Sequence, residues 1–126
     1  MASVREPFPE VVPGQLPNPG IESEVDRMVN EEPHLTVKDV RYKRSFHFRQ
    51  LTSLVKETER QMRLQRGVLH DDQKVHTLEM LASEWGQAAI YTRWLELKNP
   101  VHAEIDSDRQ RLVDYRNDAV DKRWPF

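Results

Sequence analysis

Residues 35–66 read LTVKDVRYKRSFHFRQLTSLVKETERQMRLQR, and this stretch decides the fold class. Thr36 is a favoured N-cap, and Asp39 at the third helical position completes a capping-box variant. Leu35 and Val40 occupy the two positions of a hydrophobic staple. A helix is therefore expected to begin at Val37 and run to Arg66, with Gly67 as its C′ residue. Arg63 and Arg66 suit the negative end of its dipole. Val37, Val40, Phe48, Leu51, Val55 and Met62 recur at steps that build one helical stripe. Arg44 and Thr58 interrupt that stripe, and Ser45, itself a capping type, allows a break beside it.

Toward the C-terminus, Asp71 or Asp72 is expected to cap a helix over 72–98. Its stripe of Val75, Leu78, Ala82, Trp85, Ala89, Thr92 and Leu95 is widened by Leu81, Ala88 and Tyr91, which makes this the expected centre of the core. Gly86 in mid-helix costs about 1 kcal/mol of propensity against Ala, and a close approach of another helix would explain it. Asn99 and Pro100 end this helix and are expected to serve as N-cap and first residue of the next, over 100–122. Ile105, Leu112, Tyr115 and Ala119 give that last helix a thin stripe, broken by Asp108 and Arg109. Trp124-Pro125-Phe126 follows as an aromatic tail.

Toward the N-terminus, Ile21, Val25, Met28 and Val29 predict a short amphipathic helix over 21–32, stopped by Pro33. Residues 1–20 hold Pro7, Pro9, Pro13, Pro17 and Pro19. Proline removes a backbone donor and drives its predecessor to extended geometry, so this segment is expected to be an extended arm. Phe8, Val11, Val12 and Leu16 are its candidate anchors. The expected architecture is all-α: an elongated helical hairpin or three-helix bundle over 37–123, carrying a Pro-rich N-terminal arm.

Composition narrows the function classes. Apolar residues make up 37% of the 126-residue chain, or about 40% with Gly, and charged residues 32%, against usual shares of ~45–50% with Gly and ~25%, so a thin core completed in part on a partner is expected. There is no cysteine, which removes thiol catalysis and Cys-ligated zinc. The longest apolar run, Ala88–Tyr91, is far short of the ~20 residues of a membrane span. The N-terminal residues lack the apolar core of a signal peptide, so a soluble intracellular protein is expected: cytoplasmic, organellar or virion-associated. The net charge of −2 conceals an acidic 1–37, a basic 38–66 and an acidic 67–126. That alternation allows an acidic segment to lie on the basic one.

No motif points to catalysis. The serines lack a nucleophile elbow, the five histidines are scattered, and the four glycines form no phosphate loop. Asp72, His76 and Glu79 at helical spacing are too few to define a metal site. Glu104, Asp106 and Asp108 begin like a calcium loop, but Arg111 stands where it needs Gly and Asn117 where it needs Glu. These acids are better explained as a solvated first turn. No catalytic residue, metal or cofactor is therefore expected.

The expected function is a non-enzymatic structural, adaptor or assembly subunit of a larger complex. Virion connectors and small organellar or filament accessory subunits share this general form, a comparison at the level of fold alone. Its partner-binding candidates are Phe8, Val11, Val12, Leu16, Trp94, Trp124 and Phe126, since Trp dominates interface hot spots and Trp94 lies off the strict seam. Two alternatives stand beside it. One is a nucleic-acid-binding factor using Arg41, Lys43, Arg44 and Arg49, which interleave with Tyr42, Phe46 and Phe48. The other is a self-assembling coiled coil, a homo-oligomer joined through Leu51, Val55 and Met62.

Overall fold

The computed structural model describes residues 19–65 and 70–120, with side chains over 20–65 and 70–117. These residues form four helices, α1 (Pro19–Glu31), α2 (Val37–Leu64), α3 (Asp71–Lys98) and α4 (His102–Val120), and no strand. The chain is all-α over this range. The arm, Gly67 and the aromatic tail lie outside the described residues.

The helix ends follow local chemistry. At α2, Asp39 N–H donates to Thr36 Oγ1 at 3.1 Å and Thr36 N–H donates to Asp39 Oδ2 at 3.3 Å, the reciprocal pair expected. α1 starts at Pro19, two residues earlier than its apolar spacing implies, because proline is preset for a first helical position. α2 ends at Leu64 with Gln65 as C-cap, short of Arg66. α3 takes His70 as N-cap instead of an aspartate. His70 N–H donates to Gln73 Oε1 at 2.9 Å, while Asp71 and Asp72 sit in the first turn, where the dipole favours acids. Asn99 closes α3 through its N–H to Leu95 O at 2.8 Å. α4 begins three residues beyond Asn99, so Asn99 ends α3 and does not cap the next helix. α4 begins at His102, and Val101 O accepts its first bond from Ile105 N–H at 2.9 Å.

α2 and α3 are each 28 residues, about 42 Å at 1.5 Å per residue, and pair as an antiparallel hairpin. α3 touches all three other helices. Its buried residues accordingly run round the helix: Leu81, Trp85, Ala88, Ala89, Thr92, Trp94 and Leu95. The α1 face of Ile21, Val25 and Met28 and the α4 residues Ile105 and Leu112 complete the core. The α2 seam holds Val40, Phe48, Leu51 and Thr58 in buried positions. Arg44 and Thr58, which interrupt the apolar pattern, still face inward: Thr58 is 6% exposed and the Arg44 side chain 13%. The helix is continuous through Ser45.

Trp94 is 4% exposed and belongs to the core. Its place off the seam suggests a partner-facing ring only for a helix packed on one side, and α3 is packed on several. Gly86 is not a close-contact glycine either, since a Cβ placed there would meet nothing within 4 Å. Gly86→Ala should therefore stabilise the fold by about 1 kcal/mol, raising the melting temperature by roughly 3–6 °C in a calorimetric scan.

Candidate functional site

α2 and α4 run parallel in one register. Arg41 faces Glu104 and Thr52 faces Tyr115, both at a separation of 63 residues. Between them the Arg111 guanidinium lies 4.0 Å from the centre of the Phe48 ring. Helical rise carries the register along, because three- and four-residue steps keep a side chain on one face.

Charge concentrates at the start of this interface. Arg41 forms a two-pronged pair with Glu104 through Nε and Nη2, each at 3.1 Å. Arg44 Nη1 bridges Glu104 Oε1 at 2.5 Å and Asp108 Oδ2 at 2.9 Å. The Asp108 side chain is 7% exposed and also meets Thr92 Oγ1 of α3 at 3.5 Å. Burial pushes the Glu104 carboxyl up, but the hydrogen bonds from Arg41 and Arg44 outweigh it and hold the group below its ordinary value of 4.5. At Asp108 burial wins over the attraction of Arg44, and its pKa is raised.

This network bears on two expectations. Arg41 and Arg44 both pair with carboxylates of their own chain, with the Arg41 side chain still 41% exposed and that of Arg44 13%. Glu104 and Asp108 are not a solvated first turn but the counter-charges of α2. Lys43 also turns to its own fold: its Nζ sits 5.9 Å from the Tyr91 ring centre. The same ring stacks on His47, whose Nδ1 lies 2.7 Å from Glu84 Oε1. Burial, then the nearby Glu32 and Glu24, raises the Tyr91 pKa. Of the four proposed basic contacts only Arg49 stands exposed, with no salt bridge or hydrogen bond to a described residue.

A second network joins the other helices. Arg93 of α3 pairs with Glu22 of α1 at 2.5 Å and with Glu96 at 2.6 Å, and Glu96 also pairs with Arg109 of α4. Burial and the nearby Arg93 lower the Arg109 pKa. α4 is further fixed by the indole of Trp85, whose Nε1 donates to Leu112 O at 2.7 Å.

The opposite end of the α2–α3 hairpin differs. Beyond Thr58 in α2 and before Leu81 in α3 no described side chain is buried. Leu64 is 66% exposed, Val75 50% and Met80 37%. Leu54 and Met80 border an open groove of about 400 Å³ between the two helices, rimmed by Gln50, Ser53, Glu57 and Ser83. Hydrogen bonds from Arg60 and Gln61 hold Glu57 there down at about 2. Sequence reasoning missed this end because Val75, Leu78 and Met62 carry the same periodicity as the buried turns. No three His, Asp or Glu side chains among the described residues converge to hold a metal ion. No helix among them is long and apolar enough to cross a membrane. Phe8, Val11, Val12, Leu16, Trp124 and Phe126 lie outside the described residues.

No family model, curated protein or solved structure matches this chain.

The two carboxylates answer pH in opposite senses. Folding favours the Glu104 carboxylate, so its contribution is complete above 4.5 and is lost as pH falls through its lowered value. Folding disfavours the Asp108 carboxylate, so stability falls as pH rises from 3.8 through its raised value. Glu104→Gln should lower the melting temperature at about pH 7, and the gap from the parent should narrow as pH falls below 4.5 and the parent carboxylate is protonated through its lowered value. Arg44→Met should cost ~3–5 kcal/mol by leaving Asp108 buried without its cation, and adding Asp108→Asn should restore at least half of that in urea melts.

Proposed function

We propose that this chain is a non-enzymatic adaptor or assembly subunit that holds protein partners by non-covalent contact. The observation that carries this reading is the unequal burial along the α2–α3 hairpin. Its base is wrapped by α1 and α4 and fixed by two ionic networks. Its far end extends about 15 Å beyond Leu81 as two helices with Leu64, Val75 and Met80 open to solvent. Exposed apolar side chains at a protruding end suit a partner that buries them, at about 25 cal/mol per Å² of apolar area. The Pro-rich segment with Phe8, Val11, Val12 and Leu16, and the tail with Trp124 and Phe126, are assigned as further contacts in the same complex. A virion connector or an organellar or filament accessory subunit would use a module of this kind.

The test is site-specific photo-crosslinking in the source cells. A crosslinking amino acid placed at Leu64 or Val75 should capture the same protein, and one placed at Ser23 on the exposed side of α1 should not. Identical adducts from all three positions would overturn the assignment of the hairpin end. Adducts formed only with a second copy of the chain would establish the self-assembling alternative instead.

A further inference from the structure

The outer face of α2, away from every other helix, is a straight row of cations. Lys38, Arg49, Lys56, Arg60 and Arg63 follow one another at steps of 11, seven, four and three, each a sum of three- and four-residue steps, and all five are exposed. Lys38, Arg49, Lys56 and Arg63 form no salt bridge or hydrogen bond with a described residue, and Arg60 pairs only with Glu57 of its own helix. The acids of α2 lie off the row. Asp39 is bound into the cap, Glu57 is held by Arg60 and Gln61, and Glu59 stands on the flank. Tyr42, 66% exposed, is the large ring beside the row. Among the described residues, the basic excess of this segment thus divides in two: Arg41, Lys43 and Arg44 pair with groups of α3 and α4, and these five turn outward.

We propose that this row binds the phosphate backbone of double-stranded DNA. From Lys38 to Arg63 it spans about 38 Å, which matches one duplex turn of ≈ 34–36 Å. A single α-helix of ~10–12 Å diameter fits a B-form major groove about 12 Å wide. The narrow major groove of A-form RNA does not admit it. A membrane surface is the poorer match, because an interfacial helix needs an apolar face to insert and this row has none. Single strands are held mainly by rings stacked along their length, and the exposed rings here, Tyr42 and the 40%-exposed Phe46, sit one turn apart near one end of the row. No side chain on the row has a partner that would fix it against a base edge, so the contact is to phosphate and independent of sequence.

The test is fluorescence anisotropy of a labelled 20-base-pair duplex with the full chain across a salt series. With about four phosphates neutralised, log affinity should fall against log salt with a slope near −3.6, on the order of 100-fold between 50 and 200 mM. Each of Lys38→Gln, Arg49→Gln, Lys56→Gln and Arg63→Gln should reduce that slope by about 0.9, and Lys98→Gln, on α3, should leave it unchanged. The four combined should abolish binding while the helical circular dichroism and melting temperature stay at parental values, since all four side chains are exposed. Duplex binding retained by the combined variant would overturn the proposal. So would equal affinity for a 20-nucleotide single strand, or binding to phosphatidylserine vesicles with none to the duplex. Crosslinking at Leu64 and Val75 is independent of these variants, so failure of the DNA contact and failure of the adaptor assignment are separable.

Discussion

Arg44 reaching across to Glu104 and Asp108 is the contact on which the arrangement of this fold depends. A buried guanidinium is strongly unfavourable without counter-charges, and a buried aspartate equally so without its cation. Each therefore requires the other helix in one register. That register places Arg111 on Phe48 and Thr52 on Tyr115 further along the same interface. Hydrophobic burial supplies most of the driving force, since Val40, Phe48, Leu51, Trp85, Leu95 and Leu112 are almost fully enclosed. Burial alone is indifferent to a slip of one helical turn, whereas the ionic network is not.

α3 takes up the remaining constraint. It is enclosed by the three other helices along its C-terminal half, so its apolar residues surround the axis instead of forming one stripe. Trp85 and Trp94, on different sides of it, are both in the core for that reason. The N-terminal half of α3 leaves this enclosure together with the last turns of α2. Among the described residues, the hairpin thus has a base packed on several sides and an end packed by its own two helices. Local opening follows the density of buried apolar contacts, so among the described residues this end of the hairpin is expected to open more readily than its base.

Much of the local structure is legible in the residues. Thr36 and Asp39 form the expected capping box because a cap is a contact over three residues, and Pro33 and Pro100 interrupt helices because their rings forbid helical neighbours. The inward position of Phe48, Leu51, Trp85 and Leu112 follows from periodicity. Misplaced ends arose where two local signals competed. His70 rather than Asp71 caps α3 because Gln73 answers its backbone N–H. The candidate contacts were harder to read. Arg41, Lys43 and Arg44 carry the same charge as Arg49, Lys56 and Arg63, and nothing along the chain separates the paired from the open.

By itself, then, the sequence determined four helices, their approximate ends, the seam each would bury and the absence of thiol chemistry. These rest on interactions reaching at most a few residues along the chain. The tertiary structure decided which charges are spent inside the fold, that Trp94 is core, that Gly86 faces open space and that Leu64, Val75 and Met80 are exposed at the hairpin end. Each depends on which helix lies opposite, a relation between residues some 60 positions apart in the α2–α4 pairs. Periodicity assigns a residue to a face of its helix, but only packing decides whether that face meets another helix or solvent.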